Sequence, residues 1–164
     1  MQSKLTNNRI LIACFSASGT TARAAERLAD RTKGTRYAIT PAEPYTRDDL
    51  DWNDKRSRSS REMNDPQARP RLGGKELRTT DYDVIFIGYP IWWDLAPRVI
   101  QTFIETHELQ GKTVVPFATS GGSTIANSAA VLRKTYPGLN WQKGLLLNGA
   151  GESALNAWIA RLDY

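Results

Sequence analysis

The sequence predicts an α/β fold with three layers, in which helices cover both faces of a doubly wound, five-stranded parallel sheet of strand order 2-1-3-4-5. Apolar, strand-like runs recur five times along the 164 residues, and helix-like stretches lie between them. Four of the five runs are almost continuously apolar, which is typical of strands covered on both faces. Strands that alternate with helices favour a parallel sheet joined by right-handed crossovers.

The predicted elements follow one another in a regular order. The strands cover residues 9–15, 35–39, 83–88, 113–118 and 144–149. The helices cover residues 20–31, 97–108, 125–136 and 153–162. In the second helix, Val99, Ile100 and Phe103 recur at spacings of three and four residues, so they share one side of the helix and can pack against the sheet.

The segment of residues 40–82, called the connection below, is the longest link between two predicted strands. It is polar and rich in Arg, Asp, Pro and Gly. We expect a helix within residues 46–63 and an extended stretch over residues 65–74. Because the connection is too polar to build a core of its own, the whole chain, residues 1–164, is predicted to be a single domain.

The net charge of +5 raises the question of an acidic partner such as nucleic acid. Much of the basic character falls in residues 55–78, where arginines are interleaved with aspartates and glutamates. Mixed charge at this density is typical of a solvated face, and no nucleic-acid motif accompanies it. We therefore expect no nucleic-acid partner.

The chain lacks the signals of a membrane or secreted protein. No apolar run approaches the roughly 20 residues that span a bilayer, and residues 1–9 show neither the apolar segment nor the cleavage site of a secretory signal. We expect a cytoplasmic protein without a membrane span, and a processed precursor is the alternative.

Cysteine and histidine are scarce. Cys14, the single cysteine, lies inside an apolar run, which favours a buried, unreactive thiol and leaves no internal disulfide or multi-cysteine cluster. His107, the single histidine, falls near the end of a predicted helix, where it can interact with the helix dipole. We therefore predict no metal site and no catalytic side chain.

A loop rich in hydroxyl groups, "SASGTT", follows the first predicted strand and precedes the first helix. It contains Ser16, Ala17, Ser18, Gly19, Thr20 and Thr21. In a doubly wound sheet, ligands bind beyond the carboxyl ends of the strands where the strand order reverses. A helix N-terminus offers unpaired N–H groups to an anion, and the hydroxyl groups add donors, so a phosphate site is one interpretation. The alternative is a helix N-cap without a ligand.

Two further strand ends favour a ligand site. The third strand runs into "GYPIWWDLAP", which places Pro90, Ile91, Trp92 and Trp93 in a loop. The fourth runs into "TSGGST", with Ser120, Gly121 and Gly122. Aromatic rings form a stacking surface, and glycines let the backbone approach a ligand closely. Together the three loops predict a pocket for a flat, phosphorylated cofactor, with one tryptophan packed on the core and the other facing the ligand.

These motifs resemble the flavodoxin family, and the similarity covers nearly the whole chain. The resemblance rests on "SASGTT", "GYPIWWDLAPRVIQTFIE" and "PFATSGGSTIANS". It implies noncovalent FMN, with the phosphate held by Ser16, Ser18, Gly19, Thr20 and Thr21. It also implies that Pro90, Ile91, Trp92 and Trp93 wall the flavin ring on one side, and that Ser120, Gly121 and Gly122 line its other edge. Ala17 departs from the larger residue that related loops often carry.

The resemblance leaves three functions open. The first is an electron carrier between a reductase or a reduced iron–sulfur protein and an acceptor enzyme. The second is an oxidoreductase that passes hydride from NAD(P)H through FMN to quinones or other small acceptors. The third is a module that binds a phosphorylated ligand without redox chemistry. The charge of +5 differs from the acidic character of many carrier flavodoxins, so it bears on partner choice.

Overall fold

The computed structural model describes residues 9–163 and contains a parallel sheet. Its strands are β1 (Ile10–Cys14), β2 (Thr35–Ala38), β3 (Val84–Pro90), β4 (Thr113–Thr119), β5 (Asn140–Trp141) and β6 (Leu145–Leu146). The strand order β2-β1-β3-β4-β5, with β6 also paired to β4, confirms the predicted order 2-1-3-4-5. Residues 1–8, on which the expectation of no secretory signal depends, lie outside the described residues.

The fifth strand differs from the predicted run of residues 144–149, because it consists of two short pieces. Between its pairing with Val114 and its pairing with Phe117, the outer strand carries one extra residue, which forms a bulge. The carbonyls of Val114 and Ala118 both accept hydrogen bonds from this outer strand, so the residue midway between them, Pro116, faces the same side. Proline has no N–H to donate there, and the ladder breaks at this point.

Residues 9–163 contain five α-helices, four of which cover the sheet. They are α1 (Thr20–Thr32), α2 (Arg58–Met63), α3 (Arg98–Thr106), α4 (Ala126–Thr135) and α5 (Glu152–Arg161). The helices predicted over residues 20–31, 97–108, 125–136 and 153–162 are confirmed to within two residues at each end. Within the described part of the chain, no helix has the length and apolar character needed to cross a membrane.

Two apolar clusters sandwich the sheet. Alternate residues of each central strand point to opposite faces, so Leu11 and Ile85 belong to one cluster and Ile12 and Phe86 to the other. The first cluster includes α3 and α4, and the second includes α1 and α5. This arrangement confirms the three predicted layers.

The connection contains the short helix α2, inside the region where a helix was expected. Buried Arg98, the first residue of α3, holds its carboxyl end. The guanidinium donates from Nε to the carbonyl oxygen of Glu62 at 3.2 Å and from Nη2 to that of Met63 at 3.0 Å. Further along, Leu72 pairs with Pro41 in an antiparallel bridge. The Tyr45 ring lies 5.5 Å from the rings of both Phe15 and Trp92, so the connection passes beside the carboxyl ends of β1 and β3.

Candidate functional site

The loop of residues 16–21, called the phosphate loop below, turns sharply into α1. Gly19 has φ 95°, a left-handed conformation that favours glycine. The Ser16 hydroxyl oxygen accepts hydrogen bonds from the N–H groups of Gly19 and Ala22, both at 3.1 Å. The N-cap residue is Gly19, which has no side chain, so the oxygen that caps the first turn comes from Ser16, three residues earlier. This bonding uses only part of the loop.

Two backbone donors at the start of α1 remain for a ligand. The N–H groups of Thr20 and Thr21 lie in the first turn of α1, where no preceding helical carbonyl can accept them. Within residues 9–163 they make no other hydrogen bond. Such N–H groups point outward along the helix axis and carry the positive end of its dipole, so the loop has the backbone donors that an anion needs.

A cation stands beside these donors. Arg23 donates from Nη2 to the hydroxyl oxygen of Thr20 at 3.4 Å. A Cβ built on Gly19 would lie 3.3 Å from Arg23 Nη1, so the guanidinium also lies against the loop backbone. Sequence reasoning missed this residue. The sequence did contain a signal: Arg23 lies three residues after Thr20, and residues three or four apart share one face of a helix.

The hydroxyl group of Thr21, unlike those of Ser18 and Thr20, is buried and bonded within the protein. Thr21 is only 1% exposed, and its Oγ1 lies 2.8 Å from Oγ1 of Thr119 at the end of β4. This hydrogen bond joins the phosphate loop to the carboxyl end of a neighbouring strand. A phosphate contact by the Thr21 hydroxyl stays a prediction, whereas its N–H is available.

The segment of residues 90–95, called the tryptophan loop below, ends in a tight turn. It begins at Pro90, which was predicted in a loop but is the last residue of β3, because that strand pairs with β4 up to Thr119. Trp92 and Leu95 exchange two backbone hydrogen bonds of 2.9 Å. Trp93 and Asp94 lie between them with φ of 52° and 64°, which is the arrangement of a type I′ turn without glycine. Asn127 Nδ2 donates to the carbonyl oxygen of Asp94 at 3.0 Å and fixes the turn to α4.

The two tryptophans of this loop have different surroundings. Trp92 packs edge-on against Phe15 and Tyr45, with ring centroids 5.7 Å and 5.5 Å away. Trp93 is 45% exposed. Trp92 thus packs against the core and Trp93 lies at the surface; that Trp93 faces a ligand stays a prediction.

Tyr45, which packs against Trp92, is held in turn by the charged side chains of Glu62 and Arg58. Tyr45 donates its hydroxyl to Glu62 at 2.5 Å, and Arg58 Nε donates to the same carboxylate at 2.9 Å. The Arg58 guanidinium also lies 3.8 Å from the centre of the Tyr45 ring. Burial and the bond to Glu62 raise the pKa of Tyr45, so the phenol stays protonated and keeps its hydrogen bond.

A cavity of about 560 Å³ lies between the phosphate loop and the tryptophan loop. It is lined by Ala17, Ser18, Leu50, Trp52, Ser59, Pro90, Ile91, Trp92 and Trp93. Six of these belong to the site residues predicted from the sequence. The other three come from the connection, and sequence reasoning missed them because only the fold brings residues 50–59 over the strand ends.

The loop of residues 120–122 does not line this cavity. Ser120 and Asn148 exchange two hydrogen bonds, from Ser120 N at 2.9 Å and from Asn148 Nδ2 at 2.6 Å. Ser120 Oγ also accepts from Gly122 N at 3.1 Å, while Gly121 is exposed. The loop is joined to the tryptophan loop through Ile91 N, which donates to Thr119 O at 2.9 Å. A contact of Ser120, Gly121 and Gly122 with a ring stays a prediction.

Cys14 and His107 take no part in the cavity. Cys14 is 8% exposed, and burial raises the pKa of its thiol to about 11. His107 follows the last residue of α3, and its Nδ1 lies 2.9 Å from the carbonyl oxygen of Phe103. Across residues 9–163, no group of three or more His, Cys, Asp or Glu side chains has an arrangement that suits a metal ion.

Comparison with known proteins places this geometry in a family. The Flavodoxin family model matches residues 9–162. None of the curated proteins matches the chain. A candidate flavoprotein from Bacteroides eggerthii is 65% identical, with a TM-score of 0.91 over 94% of this chain and 97% of that one. A second candidate flavoprotein, from Bacteroides uniformis, is 55% identical, with a TM-score of 0.90 over 94% and 99%.

A more distant structure shares the fold. The flavoprotein of Lactobacillus acidophilus, crystallised in complex with FMN, is 20% identical, with a TM-score of 0.75 over 93% of this chain and 99% of that one. The family match extends over nearly all of the described sheet and helices, including both loops that line the cavity. The chain belongs to the flavodoxin family.

Proposed function

We propose that the protein binds FMN noncovalently and transfers electrons through it. One observation carries the proposal: a single cavity is lined by the phosphate loop on one side and by the tryptophan loop on the other. In this proposal the aromatic part of the ligand fills the cavity, and its phosphate reaches past Ser18 to the outward N–H donors and the cation at the start of α1. Those are the complementary groups for a phosphate joined to a flat heterocycle.

The phosphate end is assigned to backbone donors, hydroxyl groups and one cation. In this proposal the N–H groups of Thr20 and Thr21 donate to phosphate oxygens, the hydroxyl groups of Ser18 and Thr20 add further bonds, and Arg23 balances the charge. Because Gly19 has no side chain, a phosphate can approach the backbone of the loop closely. Ser16 positions these groups through its two hydrogen bonds within the loop.

The ring end is assigned to the tryptophan loop. Pro90, Ile91, Trp92 and Trp93 form an apolar wall that excludes water from one face of the ring, and Ser120, Gly121 and Gly122 are proposed to approach its other edge. Tyr45 and the charged side chains bonded to it hold the wall in place. Bound FMN supplies the ability to accept and donate electrons. Support comes from the family match and from the FMN complex of the Lactobacillus relative.

The function that we rank first is that of an electron carrier, and it requires a donor and an acceptor of electrons. A reductase or a reduced iron–sulfur protein donates, and an acceptor enzyme or compound is reduced. The net charge of +5 favours acidic partner surfaces, because complementary charge speeds encounter and aligns the two proteins.

An NAD(P)H-dependent FMN oxidoreductase is the second candidate. The observation in its favour is that the cavity is lined not only by the two loops but also by Leu50, Trp52 and Ser59 of the connection, which could contact a small molecule.

The test is a titration of purified, FMN-free protein with FMN and, separately, with riboflavin, followed through quenching of flavin fluorescence. We expect saturable binding of one FMN, and much weaker binding of riboflavin because it lacks the phosphate. Equal affinity for the two flavins would remove the role of the phosphate loop, and no binding of either would overturn the proposal. Reduction of the bound flavin by NADPH or NADH alone would favour the second candidate.

A further inference from the structure

A second cavity, of about 430 Å³, lies within the connection. It is lined by Arg58, Arg61, Arg69 and Arg71, and we call it the arginine cavity. It shares no lining residue with the cavity between the phosphate loop and the tryptophan loop. Every basic residue of its lining is an arginine, whose planar guanidinium can donate two parallel hydrogen bonds to one phosphate or carboxylate group. Such a lining is suited to anion recognition.

Two of these arginines already have carboxylate partners. Arg58 Nε donates to Glu62 at 2.9 Å. Arg69 Nε donates to both carboxylate oxygens of Glu105, at 3.0 Å and 3.1 Å. Their charges are therefore largely balanced within the protein, and a ligand would gain little attraction from either.

The other two arginines, Arg61 and Arg71, have no carboxylate partner. The Arg61 side chain makes one hydrogen bond, from Nε to the carbonyl oxygen of Arg56 at 3.1 Å, so both of its outer nitrogens are available. The Arg71 side chain makes no hydrogen bond or ion pair within residues 9–163. Both residues are exposed, so an anion from solution can reach them.

The carboxylates of the lining do not cancel this charge. Glu62 is already bonded to Arg58, and Glu43 can offset only one of the two remaining charges. Buried Arg98 adds positive charge nearby, because it donates to two carbonyl oxygens of α2 and makes no ion pair with a described residue. Burial and then the charge of Arg69 lower the pKa of Arg98, which shows that positive charge is concentrated here.

The arginine cavity also separates two parts of the connection that are not bonded to each other. Its walls are residues 42–43, α2 and residues 68–71. Residues 42–43 are bonded to both other walls: Ala42 N donates to the Arg71 carbonyl oxygen at 2.7 Å, and Arg58 Nη1 donates to that of Glu43 at 2.7 Å. In the part of the chain that the structure describes, no hydrogen bond or ion pair joins α2 to residues 68–71.

From these observations we propose that the arginine cavity binds a small anion carrying two or more phosphate or carboxylate groups. Arg61 of α2 and Arg71 of the neighbouring wall hold it, so the bound anion joins α2 to residues 68–71. The site is separate from the phosphate loop and does not rest on the proposed FMN function. Since α2 also carries Ser59, which lines the cavity between the two loops, the anion steadies one wall of that cavity.

The experiment is a calorimetric titration of the FMN-saturated protein with sodium pyrophosphate and, separately, with sodium citrate, at constant ionic strength. Bound FMN fills the phosphate loop, so a second anion site is measured apart from it. The two titrants show whether the cavity prefers phosphate or carboxylate groups. The variants are R61A, R71A and R71K, and R133A, on the exposed surface of α4, is the control. R23A, titrated without FMN, reports any binding at the phosphate loop.

We expect one saturable site with a dissociation constant below about 1 mM for at least one of the two anions. R61A and R71A should each weaken binding about tenfold, because each removes a charged pair of donors. R71K should restore only part of the loss, since an ammonium group cannot donate as a planar fork. R133A and R23A should bind as the unaltered protein does.

A second measurement, hydrogen exchange, tests the bridging role. Exchange in α2 should slow when the anion is bound to the unaltered protein, and it should not change in the double variant R61A/R71A. Because Arg61 and Arg71 are exposed, we expect the variants to fold, and their urea midpoints check this.

The inference would be overturned by the absence of saturable binding for both anions, by binding that R61A and R71A leave unchanged, or by binding that R23A abolishes. The last result would place the anion at the phosphate loop. Anion binding without slower exchange in α2 would refute the bridge. Failure of the unaltered protein to bind FMN would instead refute the proposed function, and the R23A titration would still test the arginine cavity.

Discussion

Replacing Arg23 with alanine tests whether the phosphate loop binds an anion. The guanidinium lies 3.4 Å from Thr20 Oγ1 and within reach of the backbone at Gly19, so a phosphate on the free N–H groups would lie beside it. Arg23 makes no ion pair with a carboxylate among the described residues, so its charge is available to a ligand.

The strength of the attraction between Arg23 and the FMN phosphate depends on how exposed Arg23 is to water. Two unit charges 4 Å apart attract by about 1 kcal/mol in water and about 4 kcal/mol at an effective dielectric constant of 20. Because Arg23 is exposed, we take the lower part of this range, about 1.5 kcal/mol. The Arg23→Ala protein should therefore bind FMN about tenfold more weakly.

The assay is fluorescence titration with FMN at low salt and again at high salt, with riboflavin as the ligand without phosphate. The tenfold difference should shrink as salt screens the charge, and riboflavin affinity should not change. Lys134→Ala, which removes one exposed positive charge from the far end of α4, is the control. FMN affinity within twofold of the unaltered protein at low salt, or an equal loss for riboflavin, would refute the reasoning.

Three other predictions concern the scaffold. Gly88→Ala should lower the free energy of unfolding in urea by at least 1 to 3 kcal/mol, roughly, because a Cβ there would lie 2.1 Å from the buried Phe117 ring. Arg98→Met should lower it by about 1 to 3 kcal/mol and speed hydrogen exchange in α2, because the Met63 carbonyl loses its buried donor, whereas the Glu62 carbonyl keeps the N–H of Asp65. Cys14 should resist iodoacetamide at pH 8 in the folded protein and react faster as the pH rises towards about 11, where the thiolate forms.

Each scaffold prediction has its own check. Gly121→Ala, where an added Cβ meets nothing within 4 Å, should leave stability nearly unchanged. Arg133→Met, on the exposed surface of α4, is the charge-matched control for Arg98. Uniform acceleration of exchange across the protein, instead of a local effect in α2, would contradict the anchoring role of Arg98. Rapid labelling of folded Cys14 at pH 8 would contradict its burial.

The sheet and its helices were predictable because burial on both faces leaves a strong pattern in the sequence. The apolar run of β3 and the spacing of Val99, Ile100 and Phe103 in α3 each indicate their element directly. The break opposite Pro116 was not predicted, because the apolar run of residues 144–149 shows no sign of a missing donor on the neighbouring strand. Strand register depends on how two strands pair, so the sequence of one apolar run does not reveal it.

The cavity residues that follow a strand end were predictable from the sequence, whereas those in the connection were not. Ser18 and Trp93 stand directly after predicted strands, so topology alone places them together. Trp52 and Ser59 belong to a long polar segment whose path is set by Arg98, and Arg98 acts through backbone carbonyls that no side-chain pattern reveals. The buried hydrogen bond between Thr21 and Thr119 is likewise visible only in three dimensions.

The broken fifth strand also affects how the molecule meets copies of itself. A straight outer strand would offer a continuous row of unpaired N–H and C=O groups, to which another chain can add and begin a fibre. Here the outermost hydrogen-bonded pieces, β5 and β6, are two residues long each and out of line by one residue. Gly144 fits at the break because any Cβ there would lie 2.6 Å from the Pro116 carbonyl oxygen. Pro116 and Gly144 thus protect this edge against aggregation by strand addition.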